Sequence, residues 1–185
     1  MDSKFMNAVC LASVEILGEK ETFQVLKDFG VSSFSTLDAS HFSLERFGQA
    51  LAKRYDVQSA MGLLIRIGRA SLIFLRRYFS DIADLGGIDN RLKPVDKRFP
   101  YSLNMLADKA GEGLGSQIQA AAVDSSTFLW RLRAMNAALE PYYHFGLLEE
   151  FCGWLDSRKD YRIIYAADGG MGEFAELTIQ VKEKE

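Results

Sequence analysis

The segment from Ser59 to Ser80 constrains the fold more than any other part of the sequence. On a helical wheel of about 100° per residue, its arginines and terminal serines fall within a stripe roughly 100° wide, and the rest of the circumference is apolar. This stripe consists of Ser59, Arg66, Arg69, Arg76, Arg77 and Ser80. A helix with this pattern is buried on most of its sides. The segment therefore predicts the central helix of a globular core.

A membrane span is the competing interpretation of this segment, because about 20 residues are long enough to cross a bilayer. Each arginine, however, would cost about 2.5 kcal/mol or more at the centre of a membrane. The chain begins Met1-Asp2-Ser3-Lys4, without the apolar run and small-residue cleavage site of a secretory signal. We therefore expect no membrane span and a cytoplasmic location.

Length and charge indicate one ordinary globular domain. A chain of 185 residues can bury one core well, and no linker or internal repeat divides it. We expect a single domain over residues 1–185, with an N-terminal helical part at 1–58 and the remaining elements at 59–185. The formal net charge of −3 lacks the basic excess typical of nucleic-acid binders, so we expect no nucleic-acid partner.

The two cysteines, Cys10 and Cys152, lie far apart in the sequence, and neither belongs to a CxxC pair. This spacing argues against a disulfide framework and against a sulfur-based metal site. Free cysteines are among the residues most often buried. We therefore predict two reduced thiols in the core.

Helical periodicity also precedes the central segment. Apolar residues recur at helical spacing before Gly18 and again before Gly30, and glycine is typical of the position after a last helical turn. A loop rich in Ser, Thr and Asp follows at 32–40. Ser43 then stands where the N-cap of a third helix is expected.

Strands are predicted only in the second half of the chain. After a break at 84–100 and a helix that starts at Tyr101 and ends near Gly111 to Gly115, apolar and polar residues alternate at 118–122 and 128–132 around a turn at 124–126. A helix follows Pro141, and a second hairpin closes the chain. The order predicts an α+β fold in which N-terminal helices and the long central helix pack on an antiparallel sheet of about four strands.

This order of elements, with the residues that form it, resembles the 4-vinyl reductase domain family, which is related to the haem nitric-oxide sensors and the small TRAPP-complex subunits. Four stretches show the likeness: 48–51 (Gly-Gln-Ala-Leu) with Tyr55, 62–70 (Gly-Leu-Leu-Ile-Arg-Ile-Gly-Arg-Ala), 128–130 (Phe-Leu-Trp) and 166–169 (Ala-Ala-Asp-Gly). The resemblance implies a small-molecule-binding domain, often for hydrocarbons, aromatics or tetrapyrrole-related ligands, that forms dimers.

The sequence departs from this family where many members have metal-binding cysteines. The segment from Ala134 to His144 contains no cysteine, and Tyr165 and Ala175 occupy the corresponding part of the last hairpin. The two histidines, His41 and His144, have no partner at metal-ligand spacing. We therefore predict no metal and no cofactor.

Catalytic motifs are also missing. The sequence contains no GxSxG and no P-loop, and the glycines at 169–172 stand between two strands, where they indicate a hairpin turn. We predict that the chain is not an enzyme. For His144, a packed ring bonded to backbone or water and a ligand contact both stay open.

A pocket is predicted between the apolar side of the central helix and the concave side of the sheet. The predicted ligand-binding residues are Leu64, Gly68, Ser71, Leu72, Leu75, Phe79, Phe128 and Trp130. Glycine inside a helix costs roughly 1 kcal/mol, so Gly68 indicates the close approach of another element or of a ligand. Ser71 is a candidate for orienting the ligand, or it bonds the carbonyl four residues earlier.

These features favour a non-enzymatic sensor or carrier for a small hydrophobic molecule. Two alternatives stay open: a dimeric scaffold or adaptor with a filled core, and an accessory role in tetrapyrrole metabolism. We expect a homodimer, because the first two helices supply more apolar surface than one small sheet can cover. Any signal would then pass through a protein partner or through the dimer.

Overall fold

The computed structural model describes residues 3–28, 43–133, 138–165 and 174–184. Within these ranges the chain forms eight helices and four strands, in the predicted order of helices, hairpin, helix and hairpin. The helices are α1 (Ser3–Leu17), α2 (Glu19–Lys27), α3 (Leu44–Tyr55), α4 (Val57–Tyr78), α5 (Ser80–Asp84), α6 (Ile88–Arg91), α7 (Val95–Leu114) and α8 (Glu140–Leu155). The strands are β1 (Ile118–Ala122), β2 (Thr127–Arg133), β3 (Lys159–Tyr165) and β4 (Phe174–Glu183).

The four strands form one antiparallel sheet in the order β1-β2-β4-β3. Its register places Trp130 opposite Ala120 on one side and Leu177 on the other. Phe128, Trp130 and Leu132, which share one face of β2, are at most 1% exposed. This alternation of buried and accessible residues confirms the predicted buried face of the hairpin, and the α+β class is confirmed with it.

The central helix α4 starts at an Asp cap. The carboxylate of Asp56 accepts the backbone N–H of Ser59 at 2.8 Å and so satisfies a free donor of the first turn. α4 has the length and apolar composition of a membrane span, but here it packs against α1, α3 and α8. α8 packs on α4 and also on β3 and β4. α8 therefore lies between the central helix and the sheet.

The predicted break at 84–100 is wrong, because this segment contains α6 and the first turns of α7. α7 begins at Val95, directly after Pro94, and continues through Pro100. Arg98 and Phe99, in these first turns, are 1% and 0% exposed. Their burial stabilises the helix and offsets the loss of the backbone hydrogen bond that Pro100 cannot donate.

Several predicted helix boundaries are confirmed. Gly18 and Gly115 follow helices with φ angles of 82° and 67°, a region that favours glycine. The side chain of Ser43 caps α3 by accepting the backbone N–H of Arg46 at 3.4 Å. The predicted stop at Gly30, the loop at 32–40, His41, the 166–169 stretch and the turn at 168–173 lie outside the described residues.

Both cysteines are free and buried, as the sequence predicts. Burial raises the pKa of Cys10 to about 12. It also raises the pKa of Cys152, which is fully buried on α8. Both side chains are therefore neutral thiols at physiological pH and behave as small apolar groups.

Candidate ligand site

α8 enters the core as a helix whose start is fixed by α3. The carboxylate of Glu45 on α3 accepts the backbone N–H groups of Leu139 and Glu140 at 2.8 and 3.0 Å. These are free donors at the beginning of α8, and a carboxylate at this end also interacts favourably with the helix dipole. The contact fixes the position of Tyr143 and His144, one turn further along.

Two glycines bring α4 and α8 into backbone contact. A Cβ atom on Gly68 would lie 2.1 Å from the carbonyl oxygen of Tyr143, and one on Gly146 would lie 2.0 Å from that of Ile65. No side chain fits at either position. Gly68 therefore marks the close approach of another helix, one of the two alternatives that the sequence left open, and the space beside it is occupied by α8.

Three buried aromatic residues, Trp130 on β2 and Tyr143 and His144 on α8, are linked by ring contacts in the core. The ring of His144 lies 5.7 Å from the ring of Trp130 and 5.4 Å from that of Tyr143, measured between centroids. All three residues are 0% exposed. We refer to Trp130, Tyr143 and His144 as the α8 polar cluster.

The α8 polar cluster contains polar atoms without a hydrogen-bond partner. They are Nε1 of Trp130, Oη of Tyr143, and Nδ1 and Nε2 of His144. Buried polar atoms are bonded in the large majority of cases, and an unpaired one costs about 1–3 kcal/mol. A group of four such atoms on adjoining rings indicates a place where the protein meets a polar group that is not its own.

A carboxylate lies at the edge of this cluster. Oε1 of Glu140 is 3.7 Å from Nε2 of His144, beyond hydrogen-bond distance, and it accepts the hydroxyl of Ser116 at 3.1 Å. Burial raises the pKa of Glu140, but the His144 ring and Ser116 outweigh this effect, so its pKa lies below the ordinary value. Glu140 is therefore ionised and has the capacity to accept a further hydrogen bond.

Ser71 makes the backbone hydrogen bond that was one of its two predicted roles. Its hydroxyl donates to the carbonyl of Ile67 at 2.8 Å, four residues earlier on α4. Burial raises the pKa of Tyr143, so this side chain stays neutral and offers one hydroxyl. The Ser71 hydroxyl lowers the pKa of the Tyr143 phenol to a smaller extent, but the phenol has no hydrogen-bond partner.

The predicted pocket residues lie on the two sides of α8. Five of them are on α4, with Phe79 directly after it, and Phe128 and Trp130 are on β2. All are buried, and Leu72 also lines a surface groove on α4. The ligand-binding role of these residues stays a prediction.

One sequence pattern could have indicated the site residues on α8 that were not predicted. Glu140, Tyr143 and His144 recur at i, i+3 and i+4, on one face of α8, which is otherwise apolar.

In the part of the chain that the structure describes, no group of three or more His, Cys, Asp or Glu side chains could hold a metal ion.

No family model and no curated protein matches the chain. Solved structures of H-NOX domains match it over its full length. A mutant H-NOX from T. Tengcongensis covers 100% of this chain and 98% of its own, with 12% identity and a TM-score of 0.65.

An oxygen-binding H-NOX domain related to soluble guanylate cyclases, in its oxygen complex, covers 100% and 96%, with 11% identity and a TM-score of 0.62. A structure concerned with haem distortion in the H-NOX family covers 100% and 96%, with 11% identity and a TM-score of 0.65. The chain therefore has the fold of the H-NOX domains, which confirms the predicted relation to the haem nitric-oxide sensors at the level of the fold.

Proposed function

We propose that the chain is a non-enzymatic small-molecule-binding domain, a sensor or carrier, whose ligand occupies the α8 polar cluster. The observation that supports this proposal is the set of four unpaired polar atoms on Trp130, Tyr143 and His144. A ligand that bonds them offsets a desolvation cost that the folded chain already bears. The fold is consistent with a small-molecule-binding domain, since it is shared with an oxygen-binding H-NOX domain.

The same residues define the class of ligand. The cluster consists of aromatic rings, and the predicted residues Leu64 and Leu75 on α4 are fully buried and apolar. A ligand for this site therefore has a small apolar body and one hydrogen-bonding group. Each satisfied hydrogen bond contributes about 0.5–1.5 kcal/mol to affinity, and burial of the apolar body supplies the rest.

Haem, which the H-NOX structures concern, does not fit the described residues of this chain. His144 is the one histidine within the described ranges, and its ring packs against those of Trp130 and Tyr143. At Gly68 and Gly146 the backbones of α4 and α8 are in contact, so no porphyrin-sized slot separates them. We therefore propose a ligand smaller than haem, and membership of the 4-vinyl reductase domain family remains part of this proposal.

The experiment is an NMR titration with a matched pair of probes, toluene and benzyl alcohol. We expect the indole N–H signal of Trp130 to shift saturably with both, and benzyl alcohol to bind about 2- to 12-fold more tightly because it adds one hydrogen bond. The indole of Trp154, outside the cluster, is the internal control and is assigned with the Trp154→Phe variant. Absence of a saturable shift at Trp130 with either probe would contradict the proposal.

A dimeric scaffold with a filled core is the second candidate function. It is favoured by the glycine contacts between α4 and α8, and by a groove of about 380 Å³ on α1 whose apolar residues include Leu11, Val14 and Tyr78. Leu11 is 39% exposed. A homodimer that buries this groove would give the dimer mass in light scattering, and Leu11→Glu would shift it to the monomer. A monomer mass for the unmodified chain would exclude this candidate.

A further inference from the structure

The outward face of α4 forms a second site, separate from the α8 polar cluster. Arg66, Arg69 and Arg76 line a groove of about 480 Å³ together with Ile16 of α1 and Ile73. We refer to these five residues as the α4 groove. Arg76 lies ten positions after Arg66, which corresponds to about 15 Å along the helix. The groove is therefore long, cationic and partly apolar.

The arginines exceed the carboxylates that neutralise them. Arg69 donates from Nε and Nη2 to Glu149 at 2.9 and 2.6 Å. Arg66 forms no ion pair with a described residue, and Glu150 lines the groove without an ion pair to a described residue. The local balance is positive, although the chain as a whole is acidic.

The side chain of Arg76 is preorganised for binding an anion. Its guanidinium lies over the ring of Trp154, 4.5 Å from the centroid. Stacking covers the flat face of a guanidinium and leaves the N–H groups at its edge available. Because a neighbour already fixes this side chain, an anion that binds to it incurs less loss of side-chain entropy.

The apolar part of the groove lies between the arginines. Ile73 stands four residues after Arg69 and three before Arg76, on the same side of the helix, and is 48% exposed. Leu72 is also part of the lining. An aliphatic chain laid along Ile16 and Ile73 would remove this surface from water while its headgroup reaches a guanidinium.

We propose that the α4 groove binds an anionic amphiphile, a single aliphatic chain with a carboxylate or phosphate headgroup. A second copy of this chain is a poor occupant. A two-fold interface centred on the groove would set arginines against arginines, and like charges in contact disfavour association. The site is independent of the proposed function at the α8 polar cluster.

The test is calorimetric titration with dodecanoate, below the concentration at which it forms micelles, with dodecanol as the uncharged probe. We expect dodecanoate to bind at least about tenfold more tightly than dodecanol, since hydrogen bonds to charged groups contribute about 1.5–3 kcal/mol. Arg66→Gln and Arg76→Gln should each weaken dodecanoate binding about tenfold. Ile73→Asn should weaken both probes.

The matched control is Arg162→Gln, which removes an exposed arginine from β3. An equal loss of affinity in this variant, or equal affinity for the two probes, would overturn the proposal. Displacement of dodecanoate by saturating benzyl alcohol would also overturn it, because both would then share one site. Binding to phosphatidylglycerol vesicles without binding of monomeric dodecanoate would assign the groove to a membrane surface instead.

Discussion

α8 takes part in two buried polar groups that differ in how well they are paired. At its C-terminal end Asp156, the C-cap residue, accepts Nη2 of Arg98, Nε of Arg158 and the backbone N–H of Arg158. In its middle, the α8 polar cluster leaves four atoms without a partner. Arg98 and Asp156 are buried like the α8 polar cluster, and only Arg158 is exposed, so burial alone does not explain the difference.

The paired group has the properties of a structural contact. Arg98 and Asp156 have side chains only 1% and 2% exposed, and Nη1 of Arg98 donates to the carbonyl of Arg91 at 2.9 Å. Only Nε of Arg98 lacks a partner in this group. The pair joins α7 to the end of α8, which is what positions Phe99 against the sheet.

The difference between the two buried groups indicates where a ligand would bind. A buried charge pair that is nearly complete has no capacity for a further partner, and removing one member leaves an uncompensated charge. A buried group with four unpaired polar atoms can accept or donate further hydrogen bonds, and it lowers the stability of the fold as long as these bonds are not made. The middle of α8 is therefore the better place for binding, and its C-terminal end is the better place for stability.

The largest expected effect is that of Asp156→Asn. It leaves the guanidinium of Arg98 buried without its counter-ion, so the free energy of unfolding should fall by about 3–5 kcal/mol. Urea denaturation measures this change, and Asp160→Asn, which alters an exposed carboxylate on β3, is the control with an expected change within about 0.5 kcal/mol. Similar losses in the two variants would remove the distinction between the groups.

A second prediction concerns the contact that closes the middle of α8. Gly68→Ala would place a methyl group against the Tyr143 carbonyl, and we expect it to lower the free energy of unfolding by about 3 kcal/mol, at the upper end of ordinary overpacking. Gly62→Ala is the matched control on the same helix. No atom lies within 4 Å of the position of its Cβ, so helix propensity should raise the stability by about 1 kcal/mol. Two stabilising changes would show that α4 and α8 are not in contact.

The fold could be predicted from the sequence where the signal is local. The apolar wheel of α4 and the alternation along β2 each depend on residues within one element, and both are confirmed. The start of α7 could not be predicted, because the prolines are a local signal for a break. The helix is stabilised by Arg98 and Phe99, whose partners Asp156 and Phe128 are distant in sequence.

The candidate site was predictable only in part, for the same reason. Gly68 and Trp130 were recognised as unusual, but which element approaches Gly68 depends on the crossing of α4 and α8. The unpaired nitrogens of His144 could not be foreseen either. Whether a buried ring finds a partner is decided by all the elements around it, and a helical pattern describes only its own.

The third prediction is a pH dependence of the paired group. Burial raises the pKa of Asp156, but the bonds from Arg158 and Arg98 outweigh this and lower it to about 2. A carboxyl whose pKa falls on folding stabilises the native state above its unfolded pKa, which is about 3.9, and loses this contribution as the pH falls through the folded value.

The expected loss is about 2 kcal/mol between pH 4 and pH 2, out of about 2.6 kcal/mol over the whole titration, and urea denaturation at each pH measures it. Asp156→Asn should lose correspondingly less over this interval, because it has no carboxyl to protonate at this position. An unchanged slope in Asp156→Asn would show that other carboxyls cause the acid dependence.

The smallest expected effect on stability, and the sharpest test of the comparison, is that of His144→Leu. This substitution removes two buried nitrogens that have no hydrogen-bond partner, together with the attraction between His144 and Glu140 across 3.7 Å, and replaces the ring with an apolar side chain. Replacing an unsatisfied buried polar group by an apolar one is nearly neutral or stabilising, so the free energy of unfolding should stay within about 1 kcal/mol of the unmodified chain. Tyr143→Phe, which removes one unpaired hydroxyl, should behave in the same way.

Binding separates these variants from neutral surface changes. In His144→Leu the preference for benzyl alcohol over toluene should fall, because two of the four unpaired polar atoms are missing, while toluene still shifts the indole signal of Trp130. If His144→Leu instead lowers the stability by several kcal/mol, as Asp156→Asn is expected to do, the ring of His144 is already fully bonded in the native protein. The middle of α8 would then be a second structural contact, and the filled-core scaffold would become the better account of this chain.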